Sequence, residues 1–272
     1  MDQLTVVIRG AGDIATGVAH RLHRSGFRVL MLEVAQPLVV RRTVSFAQAV
    51  IDGETVVENV RAHKVSGMDE IRSAWSDNCV PVLVDPAADI LKELKADVVV
   101  DATLAKRDTG MRLAMAPLTI ALGPGFEAGN QATIVIETNR GHDMGRLFFS
   151  GFAEPDTGTP GLVKGFGVER VLRSPCAGPV RHVVDIGAVV KQGDIICYVA
   201  DQPVRALFGG VVRGLIMNGR SVPAGLKIGD VDPRADTDCT TISDKARALG
   251  GSVLEAILMW HSGYLSCCTT NA

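Results

Sequence analysis

Apolar and polar positions follow two different rhythms along this chain. In the first half, short apolar runs alternate with helical spacing. Thr5 to Ile8 is a β-branched run that reads as a strand, and Ile14, Val18, Ala19 and Leu22 then share one helical face that Gly26 stops. Arg28 to Leu32 reads as a second strand, ending at Glu33. Val80 to Val84, Val98 to Val100 and Leu118 to Leu122 continue the series. Helices are expected around Ile71 to Trp75, after a capping-box spacing from Ser66 to Asp69, and from Pro86 to Lys95 with proline near the start. Ala132 to Glu137 and Arg146 to Ser150 read as further strands. This alternation predicts an α/β fold whose Rossmann-like parallel sheet occupies residues 1–155. The turn-rich segment Pro155 to Gly161 marks its end.

The second rhythm is a repeat. Gly178, Val180, Gly187, Val190 and Gly193 recur at identical offsets as Gly210, Val212, Gly219, Val222 and Gly225, in the pattern G-x-V-x6-G-x2-V-x2-G. Each copy reads as strand, glycine turn, short strand, glycine turn. Two such halves predict a small β-rich barrel-sandwich hybrid, biotinyl/lipoyl-like, over 165–235. In carriers of that kind the modified lysine sits on the hairpin joining the halves, but here the junction Ala200 to Pro203 holds no lysine, so no swinging arm is expected. Residues 236–272 complete the chain as a helix, N-capped by Ser243 and running to about Trp260, with a tail. Gly250 and Gly251 inside that helix require something to approach its backbone closely.

Composition changes little in this picture. The chain has 272 residues, of which 47% are hydrophobic and 21% charged, and a net charge of -2. It lacks the basic stripe of a nucleic-acid binder and any polybasic membrane patch. No apolar run approaches the roughly 20 residues that span a bilayer. The first strand begins almost at once, without the basic start and cleavage site of a signal peptide, so a cytoplasmic location is expected. The six cysteines form no C-x2-C pair and suggest no metal site. Cys267 and Cys268 fall in the polar tail.

Candidate chemistry clusters after the strands. Gly10-Ala11-Gly12-Asp13-Ile14-Ala15 has the G-x-G-x-x-A spacing of a dinucleotide-binding turn, and Glu33 stands where an acid accepts hydrogen bonds from ribose hydroxyls. Gly10 permits the tight turn and Gly12 lets amides approach a phosphate, whereas Asp13 would repel an anion or cap the helix. Arg41 or Arg42 could grip a phosphate or carboxylate, with at most one of the adjacent pair reaching the site. Asp101, followed by Lys106 and Arg107, and the turn Gly123-Pro124-Gly125 also follow strands. His142 in the loop Arg140 to Asp143 and Lys106 are the acid–base candidates. Past the repeat, Lys227, Asp230, Asp232 and Arg234 form a motif whose two carboxylates would share one face of an extended segment and hold Mg²⁺ or a basic group. Cys239 follows as the thiol best situated for chemistry, against the alternative of a buried structural residue.

Taken in order, Arg9 to Asp13, Arg41-Arg42, Asp101 to Thr103, Gly123 to Gly125, Arg140 to His142, Lys227 to Arg234 and Ile242 to Lys245 resemble the YqeB-type accessory-protein family of selenium-dependent molybdenum hydroxylases. The resemblance spans nearly the whole chain, and its most specific segment is Lys227 to Arg234. It implies a maturation factor whose partner is a molybdenum hydroxylase and whose Rossmann-like half is similar to chaperones that hold a molybdopterin cofactor. The ligand would be a nucleotide or a molybdopterin-type cofactor. Two alternatives stay open: an NAD(P)-dependent oxidoreductase that uses the β-rich part only as structure, and a non-catalytic scaffold. A homo-oligomer is compatible with either.

Overall fold

The computed structural model describes residues 3–156, 158 and 161–265. Cys267 and Cys268 lie outside the described residues, as does part of the turn from Pro155 to Gly161. In chain order the first elements are β1 (Thr5–Arg9), α1 (Asp13–Arg24), β2 (Arg28–Glu33), α2 (Gln48–Asp52), β3 (Glu54–Val57), β4 (Val60–Val65), α3 (Met68–Ser76) and β5 (Val80–Val84). There follow β6 (Val98–Asp101), β7 (Leu118–Leu122), β8 (Glu127–Ala128), β9 (Ile134–Ile136), β10 (Leu147–Phe148) and β11 (Gly151–Phe152). The β-rich part adds β12 (Val171–Arg173), β13 (Gly178–His182), β14 (Val189–Val190), β15 (Ile195–Val199), β16 (Gln202–Arg205), β17 (Gly210–Leu215), β18 (Ser221–Val222) and β19 (Lys227–Asp232), and α4 (Asp244–His261) closes the chain.

The chain divides into two units at boundaries other than those expected. The first joins Met1–Pro37, Phe46–Asp156 and Ile242–Ala272, and the second joins Leu38–Ser45 with Thr157–Thr241. The final helix is therefore part of the first unit, and an early segment carrying Arg41 and Arg42 is part of the second.

In the first unit the expected Rossmann-like parallel sheet is replaced by a mixed, nine-stranded sheet in the order β10-β9-β7-β6-β1-β2-β5-β4-β3. Pairings from β9 across to β4 are parallel, while β10 and β3 run antiparallel at the edges. The β3–β4 hairpin had no counterpart in the sequence reading. It turns on Glu58 and Asn59, both with positive φ, which gives the two-residue connection that suits twisted strands. Every residue of β1 and β7 is buried, as expected of strands covered on both faces. On one face Val7, Leu30, Val99 and Val135 pack with Ile71, Met111 and Phe126.

Two expected local structures differ. Pro86 to Lys95 forms only a short 3-10 turn, Asp89–Lys92, because Ala88 adopts a left-handed backbone and Asp85 caps the turn through the amides of Asp89 and Ile90. At α3 the N-cap is Gly67, and Glu70 rather than Asp69 binds back to the Ser66 amide and hydroxyl.

The glycine pair in α4 has a clear explanation. A Cβ on Gly17 of α1 would lie 2.6 Å from Ala246 Cβ, and a Cβ on Gly250 would lie 2.8 Å from the Gly17 carbonyl oxygen. The two helices thus meet backbone to backbone. Gly251 faces open space instead.

The second unit consists of two four-stranded antiparallel sheets, β12-β19-β17-β14 and β16-β15-β13-β18. This corrects the expected biotinyl/lipoyl-like barrel made of two half-repeats. Strands β12 and β19 lie outside the repeat, yet they complete one of the sheets. The segment at Val40 joins by accepting the Leu215 amide and packing against Gly214. The repeat itself is expressed reciprocally: Gly178 pairs with Val222, and Gly210 pairs with Val190. Val180, Val190, Val212 and Val222 all enter the core of this unit with Ile196, Val199 and Ile228.

Gly17→Ala should destabilise the protein by about 1–3 kcal/mol through forced helix separation, whereas Gly251→Ala should stabilise it by ~1 kcal/mol through helix propensity. Urea unfolding of the two variants checks this, and equal midpoints would contradict the close-contact explanation.

Candidate functional site

In the first unit the sheet order turns from β2 on one side of β1 to β6 on the other, and open α/β sheets gather ligands at the strand ends of such a switch point. Gly10 leaves β1 with φ +94°, a backbone that favours glycine, and a Cβ there would press within 3.3 Å of the Ala102 and Thr103 backbone. Gly12 is the N-cap of α1 with an extended φ of -67°, and no side-chain hydrogen bond caps that helix end. Gly10 is therefore the conformational requirement, while Gly12 keeps the helix start clear of side-chain bulk. Asp13 is the first residue of α1 rather than its cap.

Glu33 braces this turn. One carboxylate oxygen accepts from the Ala11 amide at 2.8 Å and the other from the Val34 amide at 2.8 Å. Each oxygen has a second lone pair, so acceptance from a ribose hydroxyl stays open to it. Asp101 is fully buried and turned inward. It accepts from Arg9 Nη1 at 3.0 Å, from the Thr103 amide and hydroxyl, and from the Thr109 hydroxyl. Its four hydrogen bonds leave it a holder of the loop rather than a ligand contact.

The turn at Gly123 and Gly125 follows the end of β7. Both glycines have positive φ; a Cβ on Gly123 would meet Thr138 Oγ1 at 2.6 Å, and one on Gly125 would meet the Arg107 amide nitrogen at 2.5 Å. Glu137, also buried, accepts from the amides of Thr138, Asn139 and Glu154 and so fixes the strand-end loops beside it. Lys106 extends from the next loop and pairs with Asp156 at 2.5 Å.

Lys245 was not among the candidate site residues. It sits in the first turn of α4, after the Ser243 N-cap, whose side chain accepts from the Ala246 amide. Arg140 holds the same turn by a two-pronged bond to Asp244 at 2.7 and 2.8 Å. Burial lowers the Lys245 pKa, as do the charges of Arg140 and Lys106, against the opposing pull of Asp13 and Glu137. This partly desolvated ammonium thus feels the charge of Asp13, the first residue of α1. The only hint in the sequence was the recurrence of Ile242 to Lys245 as a motif, and nothing local linked it to residues 10–13. His142 is exposed in the Arg140 to Asp143 loop and is not gathered into the buried set.

The remaining candidates belong to the second unit. Arg42 donates to the Leu215 carbonyl and to Asp185, so its guanidinium is committed to structure there. Asp230 and Asp232 are not an exposed metal-binding pair. Asp230 meets Arg170 and Arg213, and Asp232 takes a bidentate bond from Arg234 at 2.8 and 2.7 Å. Burial pushes the Asp232 carboxyl up, but the hydrogen bonds and charge of Arg234, with the charge of Arg170, outweigh it and hold the pKa at about 2. Lys227 opens β19 as an exposed residue. Cys239 is buried, with its thiol against the carbonyls of Val212 and Thr237. Burial pushes that thiol up, which is the opposite of what a nucleophile needs.

The chain thus comprises an α/β unit with a mixed nine-stranded sheet and an antiparallel β unit. It is 53% identical over 260 residues to the uncharacterized protein YqeB of Escherichia coli strain K12, a match that takes in 95% of this chain and 48% of that one. The chain spans about half the length of this curated relative. No family model matches. Among solved structures, the ectoine utilization protein EutE (DoeB) from Ruegeria pomeroyi is 13% identical, with 84% of this chain and 85% of that one covered and a TM-score of 0.25. An aspartoacylase family protein from Mesorhizobium loti is 12% identical, with 85% of each chain covered and a TM-score of 0.28. A succinylglutamate desuccinylase/aspartoacylase from Rhodobacter sphaeroides is 13% identical, with 86% and 87% covered and a TM-score of 0.26. None of the three is named for molybdenum or selenium. Among the described residues no helix is long and apolar enough to cross a membrane, and no group of three or more His, Cys, Asp or Glu side chains could hold a metal ion.

Lys245 also makes a stability prediction. Its folded pKa lies below the ordinary 10.5, so between the two values the unfolded chain binds more protons and stability rises with pH. Lys245→Met should raise the urea midpoint at neutral pH and abolish that alkaline rise. A lower midpoint would mean that the ammonium is well compensated in the fold.

Proposed function

We propose that the first unit binds a phosphate-bearing, nucleotide-type ligand at the crevice between β1 and β6, either a plain nucleotide or the nucleotide-bearing form of a molybdopterin. The observation that carries this reading is the Gly10 to Gly12 turn at the β1–β6 switch point, where left-handed Gly10 leads into a helix start with no side-chain cap, and Lys245, a partly desolvated lysine coupled in charge to Asp13, supports it. Holding an ammonium there is unfavourable until an anion arrives, and a phosphate would be met by both the ammonium and the first-turn amides of α1. Lys106 and Arg140 add positive charge, while Asp13 and Glu137 limit how much anionic charge is welcome. Glu33 would accept from ribose hydroxyls with its remaining lone pairs.

We further propose that the protein works in the cytoplasm as a maturation factor for a selenium-dependent molybdenum hydroxylase, its partner enzyme. The support is the ordered set of motifs from Arg9 to Lys245. Deletion of the gene should abolish selenium-dependent hydroxylase activity in cells, and undiminished activity would end that reading.

Calorimetric titration with ADP and with NAD tests the ligand class. Binding is expected for at least one of them. Gly12→Asp should weaken it more than about tenfold by setting a carboxylate at the phosphate position, yet keep or raise stability, since Asp is a good N-cap. Unchanged affinity in a folded Gly12→Asp protein would sink the reading, and NAD turnover would favour the competing oxidoreductase function.

A further inference from the structure

The loop from Thr103 to Gly110 carries Lys106 and Arg107, and its backbone is costly. Leu104 and Lys106 are not glycines, yet their φ angles are +52° and +58°. Such left-handed residues persist where the surroundings hold them. Three side chains do so. Arg9 at the end of β1 reaches Asp101 at the end of β6 through Nη1 at 3.0 Å, and reaches across the loop to the Thr109 carbonyl through Nη2 at 2.8 Å. The Thr109 hydroxyl donates to the other side of the same contact, Asp101 Oδ2, at 2.5 Å and accepts from Arg9 Nη1 at 3.2 Å. Asp101 also takes the amide and hydroxyl of Thr103, so one buried carboxylate binds both ends of the loop. Beneath the middle of the loop, Gly125 leaves room for the Lys106–Arg107 peptide, with no space for a Cβ between them.

We propose that Arg9, Asp101 and Thr109 form a buried latch that fixes the Thr103 to Gly110 loop, so that Lys106, paired with Asp156 at 2.5 Å, is held where it can exchange that carboxylate for the anionic end of the ligand. These are positioning residues: none need touch the ligand, and their effect passes through Lys106. The proposal rests on the phosphate-ligand reading above. It also explains why Arg9 and Asp101, adjacent in register on neighbouring strands, are buried as an ion pair rather than exposed as charges. A pair of this kind is a device for specifying one loop conformation rather than a source of net stability.

The test uses the full chain, with ADP as the calorimetric probe and amide hydrogen exchange across residues 104–110. Thr109→Val removes the hydroxyl while keeping the shape. It should speed exchange in the loop and weaken ADP binding about tenfold, by loss of hydrogen bonds to charged groups. Thr109→Ser should restore both. Lys106→Ala should weaken ADP binding by itself, and adding Thr109→Val to it should then cost little more, since two residues acting through one contact are not additive. Full additivity, or an unchanged affinity in Thr109→Val, overturns the latch and leaves the ligand reading standing. If the unaltered protein binds no ADP, the ADP form of the ligand reading fails, and exchange decides the latch alone: faster exchange in Thr109→Val supports it, and unchanged exchange overturns it.

Discussion

The contact between α1 and α4 is the constraint on which the candidate site depends. Gly17 and Gly250 remove the side chains that would hold the two helices apart, and the Ala246 methyl group packs where a Cβ on Gly17 would stand. Because α4 comes from the far end of the sequence, this contact is what brings Ser243, Asp244 and Lys245 to the strand ends of a sheet formed by the first half of the chain. The Arg140–Asp244 pair and the bond from Arg247 to Glu58, at 2.5 Å, fix the same helix from either side. Packing density sets the geometry, and the exposed ion pairs refine it.

Charge is used differently in the two units. In the first, partly buried cations and carboxylates stand around a turn of backbone amides, and Lys245 carries a desolvation cost that an anion would offset. In the second, Arg170, Arg213 and Arg234 surround Asp230 and Asp232, and the charges compensate one another within the fold. An acid held at about 2 contributes stability above the ordinary carboxylate pKa of 3.8 and loses it as pH falls toward 2, worth about 2 kcal/mol in all. The same residue types that suggested a metal-binding pair thus serve as internal bracing. Spacing alone does not distinguish the two, because the arginines that decide it come from other strands.

Several strands of the first unit were legible because their signals are local, although their order in the sheet was not. β1, α1 and β2 follow from an apolar run, a helical stripe and two glycines, and the Ser243 cap follows from its position before a helical segment. The β3–β4 hairpin escaped because its turn, Glu58-Asn59, lacks the glycine that usually announces one. The stretch from Pro86 to Lys95 was read as a helix because proline suits a first turn, but Ala88 in a left-handed conformation and the Asp85 cap close it after a single 3-10 turn. The repeat was real at the level of residues, since its glycines and valines occupy reciprocal positions. Its closure was misjudged, because β12, β19 and the Val40 segment complete the sheets from outside it.

By itself the sequence determined the glycine turn at Gly10 to Gly12, the identity of the strands that flank it and the matched glycine and valine spacing of the repeat. Each of these depends on backbone freedom or side-chain periodicity within a few residues. Tertiary structure alone decided that Asp101 faces inward to Arg9, that Glu33 braces Ala11, that Cys239 is shielded and that Lys245 is partly withdrawn from water. Those outcomes depend on burial and on partners distant in sequence. Whether a carboxylate, thiol or ammonium is free to react is set by what surrounds it, and the surroundings exist only once the chain has folded.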